Sequence, residues 1–313
     1  MKASTVLRTK LRSGQLVVSI GVYDPLSAVI GERAGFDAVA YQSAQASGAD
    51  ALPDVGIRTP YETVEMVRKI SRSVNLPIIV DSEQGFGEDP EVCAFWTREL
   101  IKAGAAAQHI DDLRAGRCIW LENGAKYGDA DEVAERIHAM ARARDELDKD
   151  YVIIARTCCY HANTGGNTPE GFKESIRRFL LWKQAGADVF TANGWQLEPE
   201  IARKVKAQIQ APLFTQGGNG RLNREEGYLE YCRRSWDELH EYGYDIINNP
   251  MDLIGVGVRA MMQAAQKAIG RRTWSAIGPE CLDGETWLEL VGHTAMRHGT
   301  PLGASQPSGK LVK

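Results

Sequence analysis

Residues 76–89 read LPIIVDSEQGFGED, and the fold turns on this stretch. Pro77 opens a short apolar run, Ile78-Ile79-Val80, with the length and β-branched content of a strand buried on both faces of a parallel sheet. The run ends in two carboxylates at alternate positions, Asp81 and Glu83, and Gly85-Phe86-Gly87 follows at once. Side chains two apart on a strand point the same way, so Asp81 and Glu83 are expected to face one cavity. Two like charges held together favour a cation or a shared proton, and a hard, oxygen-liganded ion such as Mg²⁺ suits the pair. The plainer reading is a solvated strand end with two surface acids. Position in the chain decides between them.

Outward from that stretch, short apolar runs alternate with longer amphipathic segments. Strands are expected near 17–22, 38–43, 77–83, 106–112, 151–157, 188–194, 212–217 and 245–249. Helices are expected near 27–34, 60–74, 90–103, 129–147, 169–185, 198–208, 235–242 and 251–268, after a basic helix over 3–13. Gly35, Gly104, Gly186 and Gly243 end helices just before strands, as tight αβ turns require. The alternation runs without a composition break, which predicts one (β/α)₈ TIM barrel over residues 1–270, N-terminal helix included. A doubly wound open sheet is the alternative, but no G-x-G-x-x-G follows the first strand. Residues 271–313 read as a C-terminal helical extension with a flexible tail. The amphipathic segment near 283–297 must bury its apolar face on a neighbouring subunit or over its own barrel.

Composition narrows the partners. With 313 residues, 43% hydrophobic and 25% charged, the chain can bury a large core. A net charge of -4 leaves no electrostatic footprint for nucleic acid or an anionic membrane. No apolar run approaches a membrane span, and no secretory signal opens the sequence. The six cysteines include no C-x-x-C pair, so a reducing cytoplasm is expected and the adjacent Cys158-Cys159 reads as packing. His109, mid-strand, reads as a hydrogen-bonded core histidine rather than a ligand. Trp182 and Trp236 fall at helix positions that read as core.

Barrel chemistry sits at the C-terminal ends of strands. Those ends carry Tyr23-Asp24, Tyr41-Gln42-Ser43, Asp81-Ser82-Glu83, His109-Ile110-Asp111-Asp112, Arg156-Thr157, Thr191-Ala192-Asn193, Gln216 and Asn248-Asn249. Several carboxylates, an arginine and many neutral hydrogen-bonding groups make a lining for a divalent ion held with an anionic substrate.

In order, the segments GVYDPLSAVIGERAGFDAVAYQS, LPDVG, LPIIVDSEQGFGED, GAAAQHIDD, GRC and VIIART resemble the isocitrate lyase / phosphoenolpyruvate mutase superfamily, its methylisocitrate-lyase-like branch in particular. The resemblance is strongest over residues 15–160. It implies a (β/α)₈ barrel that exchanges a helix between subunits, as a homodimer or homotetramer. It also implies Mg²⁺-assisted chemistry on a C–C or P–C bond beside a 2-oxo acid, with Mn²⁺ as a substitute ion and a small carboxylate as substrate. Carried over by motif, the metal acids fall on Asp81 and Glu83, with Asp111 as a further contact through water. The carboxylate cradle falls on Tyr41, Ser43 and the amide of Ala44, the acid of the P-D-x-G loop on Asp54, and the substrate-clamping arginine on Arg156. The loop bearing the lyases' catalytic cysteine falls on Gly116-Arg117-Cys118-Ile119-Trp120, with Arg117 beside the thiol. Asn193 and Gln216 take the substrate-facing positions on the sixth and seventh strands.

The departures cluster where the family reads its substrate. Glu83 stands for the usual Asp, and Asp111 for the usual Glu. The loop has Ile119-Trp120 in place of Gly-His, and the sixth strand has Asn193 where a carboxylate is usual. The resemblance therefore implies a Mg²⁺-dependent C–C lyase acting on a substituted 2-hydroxy or 2-oxo di- or tricarboxylate other than methylisocitrate. A phosphoenolpyruvate or phosphonopyruvate mutase or an oxo-acid hydrolase is the alternative within the superfamily. The alternative of another class is a small-molecule-binding barrel that keeps the carboxylate cradle but has lost turnover. In the lyase, Cys118 would return a proton to the enolate-like fragment, and Tyr41, Asp54 or a metal-bound hydroxide would take the hydroxyl proton.

Overall fold

The strand that begins at Ile78 is a stave of a parallel barrel. The computed structural model describes residues 1–114, 126–161, 164–193, 200–217, 233–293 and 296. Its strands are β1 (Val17–Val22), β2 (Ala38–Tyr41), β3 (Ile78–Asp81), β4 (Ala107–Asp111), β5 (Val152–Thr157), β6 (Val189–Ala192), β7 (Phe214–Gln216) and β8 (Ile246–Asn249). All pairings are parallel, in the order β6-β5-β4-β3-β2-β1-β8-β7. A parallel bridge between Phe190 and Leu213, with Phe190 N–H donating to Pro212 O at 3.0 Å, brings β6 to the start of β7 and closes the ring. The expected TIM barrel is the observed fold.

The helices are α1 (Ala3–Arg12), α2 (Pro25–Ala34), α3 (Ser43–Ala49), α4 (Pro60–Ser71), α5 (Pro90–Ala103) and α6 (Ala130–Leu147). They continue as α7 (Pro169–Ala185), α8 (Ile201–Ile209), α9 (Trp236–Tyr242), α10 (Asp252–Arg271) and α11 (Gly284–Leu290). Asp24, Thr59, Asp89 and Thr168 each cap a helix with Pro in its first turn, pairing an accepted N–H with a preset φ. Gly186 ends α7 at φ 113°, and a Cβ there would stand 2.6 Å from Ala141 Cβ. Helix α3 was not expected. Its sequence, SAQASGA, has no apolar period, and a capping box between Gln42 and Gln45 starts it instead.

Alternation along the strands builds the core in two shells. Val17, Ala38, Ile79, Ala107, Val152, Ile154, Val189, Phe214 and Ile246 fill the lumen and pack on Leu7 and Leu11 of α1, which plugs its N-terminal end. Polar bonds fix the plug: Arg8 donates to Asp188 Oδ1 and to Tyr151 O, both at 2.5 Å, and Thr5 Oγ1 donates to Asp150 Oδ2 at 2.7 Å. Trp182 lies in the outer shell as expected, wholly buried with its Nε1–H on Ala130 O. Trp236 does not. It is 53% exposed, its ring against Phe36 at the surface of α9.

Past β8, α10 runs outward with Val256, Met261, Met262 and Ile269 exposed, and Trp274 follows at 82% exposure. Helix α11 touches the barrel wall through Arg33 Nη2, which donates to Glu289 O at 2.6 Å. The expected flexible tail lies mostly in 297–313, outside the described residues. Among the described residues no helix is long and apolar enough to cross a membrane. Leu7→Ala should lower stability by roughly 2–5 kcal/mol, as truncation of a buried leucine does. Urea unfolding checks this, and an unchanged midpoint would remove α1 from the core.

Candidate active site

Strand β3 ends at Asp81, not at Glu83. Two residues later the backbone of Glu83 is left-handed, at φ 49°, with Gly85 at 89° and Phe86 at 64°. Both acids still line one cavity, of about 240 Å³, but a tight loop and not a strand's pleat turns Glu83 into it. A glutamate with positive φ is strained, and its neighbours hold it there. Glu83 N–H donates to Asp81 Oδ1 at 3.0 Å, and Asp111 N–H donates to Glu83 O at 2.7 Å.

One guanidinium organises the acids. Arg156 Nη2 donates to Asp111 Oδ2 at 2.5 Å and lies 3.5 Å from Asp81 Oδ1. Burial pushes the Asp81 carboxyl up, and Arg156, His109 and the Glu83 N–H together outweigh it, so Asp81 stays below the usual range. Burial and then Asp81, Asp111 and Asp54 push Glu83 up to about 7. Asp54 is also raised, by burial and then Asp81, although Ser43 hydrogen-bonds its carboxyl. Four carboxylates thus sense one another around a single arginine, and the site is short of positive charge.

The sequence-predicted residues fall as follows. Tyr41, Ser43, Asp81 and Glu83 line the cavity, and Ala44 stands in the first turn of α3. Burial lifts the Tyr41 phenol to about 12, and its oxygen accepts from Arg58 Nη2 at 3.0 Å. Asp54, Asp111 and Arg156 join the acid cluster. Asn193, at the end of β6, gives its amide N–H to Cys158 Sγ at 3.2 Å. Gln216, on β7, accepts from Gln42 at 2.8 Å. Arg117 and Cys118, with the rest of 115–125, lie outside the described residues.

The bonding among the neutral polar residues emerges only in three dimensions. Ser19, Asn248, Gln42 and Gln216, from β1, β8, the end of β2 and β7, form a hydrogen-bonded chain across the barrel. Its links are 2.9, 3.0 and 2.8 Å, and buried amides that bond one another avoid a large desolvation cost. Arg58, in the loop before α4, lines the cavity too. The signal in sequence was faint, since an amide or arginine beside a strand end is common.

Two expectations change. His109 is wholly buried and stands edge-on to Phe214, but neither ring nitrogen has a partner among the described residues, and burial lowers its pKa to about 3. It is a neutral core histidine without the expected hydrogen bond. Asp112, beside Asp111, is a structural pin. Thr157 Oγ1 (2.6 Å), Cys158 N–H (2.7 Å) and Arg178 Nη1 (2.9 Å) all donate to it, joining β4, β5 and α7.

The donor set fits a hard divalent ion. Among the described residues no three His, Cys, Asp or Glu side chains form a ready cage. An ion that keeps several waters needs only one or two carboxylates. Asp81 and Glu83 face the cavity, and Asp111 is engaged by Arg156.

The chain matches the phosphoenolpyruvate phosphomutase family model over residues 7–269. It is 32% identical over 292 residues to 2-methylisocitrate lyase of Aeropyrum pernix, covering 92% of this chain and 87% of that one. It superposes on a crystal structure of 2,3-dimethylmalate lyase, a PEP mutase/isocitrate lyase superfamily member, with TM-score 0.81 and 29% identity over 98% of this chain and 99% of that one. Phosphonopyruvate hydrolase complexed with oxalate and Mg²⁺ gives TM-score 0.80 at 23% identity, over 95% and 98%, a likeness of fold alone.

In the metal-free protein, Glu83 titrates near 7 when folded against an ordinary 4.5. Between those values the folded state keeps a proton that the unfolded chain has lost, so stability from this group is present at low pH and falls as pH rises through the window. Glu83→Gln should flatten that part of the Tm-versus-pH curve in chelator. An identical slope in both proteins would contradict the raised pKa.

Proposed function

The chain belongs to the phosphoenolpyruvate phosphomutase family of the isocitrate lyase superfamily, and on that premise we propose that it is a divalent-metal-dependent carbon–carbon lyase for 2-hydroxy or 2-oxo acids bearing more than one carboxylate. The observation that carries this reading is the charge-deficient acid cluster at the ends of β3 and β4, with Glu83 pushed up to about 7. Lyase names on relatives at 29–32% identity support C–C over P–C chemistry.

Asp81 and Glu83 would hold Mg²⁺, with Asp111 contributing through water. When bound, the ion would supply Lewis-acid stabilisation for negative charge building on a 2-oxo carboxylate unit. Arg156, fixed between Asp81 and Asp111, aligns both carboxylates and favours the ionised form of Asp81. Of Asp54 and Tyr41, Asp54 is the base whose proton affinity suits the step. Its raised carboxyl accepts a hydroxyl proton more readily than an ordinary aspartate, whereas Tyr41 near 12 stays protonated at neutral pH. Cys118, by its motif, would return a proton to the carbanionic fragment.

The exposed apolar face of α10 and the Trp274 turn supports assembly with further copies of the chain through this end. Sedimentation should give a dimer or tetramer, and Met261→Glu with Ile269→Glu should shift it toward monomer. A monomeric wild type at micromolar concentration would refute this.

For the chemistry, release of 2-oxo acid from a panel of substituted malates and citrates should need Mg²⁺. Asp81→Ala should cut it by about 10³ or more while far-UV circular dichroism stays unchanged, and Cys118→Ala should lower kcat about 10²-fold with little change in ligand Kd. Turnover of phosphonopyruvate instead would make this a P–C enzyme. Metal binding with no turnover of any acid would leave a binding barrel.

A further inference from the structure

The cavity beside Asp81 and Glu83 has an arginine of its own. Arg58 is the one basic side chain among the described residues that line it. Arg156 is not in that lining, and its guanidinium is already engaged by Asp111 and Asp81. A ligand seated in this cavity with one end at the β3 acids therefore meets its cation at Arg58. We infer that Arg58 and the Tyr41 hydroxyl form a subsite for a second carboxylate, remote from the one at the metal centre, and that this subsite selects dianionic acids over monoanionic ones. The inference rests on the lyase reading and names the part of the site that sets its substrate class.

The geometry supports a built subsite. Arg58 Nη2 donates to the Tyr41 oxygen at 3.0 Å, so the phenol uses a lone pair there and keeps its O–H to donate. The phenol is held protonated, since burial lifts it to about 12. Arg58 Nη1 pairs with Asp50, whose side chain is 46% exposed against 11% for Arg58. A partner that open to water orients the guanidinium more than it neutralises it. Arg58 Nε is buried with no partner among the described residues. Five donors with so few engaged leave the fork able to take a carboxylate, which lysine would grip only as a point charge. A buried cation with spare donors is costly unless something anionic completes it.

The test compares malate with lactate, which differ by one carboxylate, in titration calorimetry of the full chain with Mg²⁺. Wild type should bind malate at least tenfold tighter than lactate. Arg58→Met should erase that preference, bringing malate to the lactate level with lactate within about twofold, and Arg58→Lys should retain part of it. Tyr41→Phe should weaken malate severalfold more than it weakens lactate. Preserved malate preference in Arg58→Met overturns the subsite, and so does equal loss of both ligands, which would mark Arg58 as structural. If Arg58→Met does not fold, Arg58→Lys and Tyr41→Phe decide by the same comparison. Failure of the lyase reading looks different: wild type then shows no Mg²⁺-dependent binding of either acid, and the subsite falls with it.

Discussion

The bond between Arg156 and Asp111, with Asp81 close by, is the interaction on which the barrel mouth depends. Register puts these groups together: Asp111 pairs with Arg156 across β4 and β5, and Asp81 with His109 across β3 and β4. An arginine ending a strand and almost wholly buried must have a partner, and carboxylates packed this closely must have a cation. Each requirement meets the other, but not fully. Of the four carboxyls only Asp81 is held below the usual range, and burial lifts Asp111 despite Arg156, as it lifts Glu83 and Asp54. A site so arranged is stable enough to exist and unbalanced enough to take up an ion.

Most of the fold was legible because barrels repeat themselves. Apolar runs such as Ile78-Ile79-Val80 can only be buried strands, and glycines such as Gly104 and Gly186 close helices before the next stave. Helix α3 was missed because SAQASGA has no apolar face to read, and its start is set by Gln42 and Gln45 side chains. Trp236 was misread because helical spacing shows which residues share a face, not which face meets a neighbour. For Asp81 and Glu83, the shared cavity was legible and the cause was not. Pleat geometry predicts a strand to Glu83, whereas hydrogen bonds at Glu83 N–H and O hold a left-handed turn. Asp111 and Asp112 look equivalent in sequence, yet one faces Arg156 and the other is pinned behind β5 by Thr157, Cys158 and Arg178.

The residues that sequence could not weigh are the neutral ones. Gln42, Asn248 and Ser19 carry no charge and match no short motif, but they span the lumen as a continuous chain ending at Gln216. Because the Ser19–Asn248 and Asn248–Gln42 links are buried, replacing Asn248 strands a neighbour on each side, at about 1–3 kcal/mol for each group. That cost makes the Gln216 amide a fixed feature of the site and not a mobile one. It also explains why the interior tolerates polar side chains just above Phe214 and Ile246: the hydrogen bonds close within the lumen itself.

Charge then links the two ends of the cavity. On the proposed reading, a divalent ion at Asp81 and Glu83 would supply positive charge that the cluster lacks and would displace the proton that Glu83 holds near neutrality. The cavity would then carry a cation near its acids as well as the guanidinium of Arg58, and an anion entering it would gain at both. Without the ion, the same anion meets several carboxylates and one arginine already tethered to Asp50. Linkage makes this reciprocal: an acid that binds more tightly to the ion-loaded site must itself tighten the ion. The strain at Glu83 serves the same end, since a left-handed turn is what places a second carboxylate beside Asp81 instead of beyond the strand.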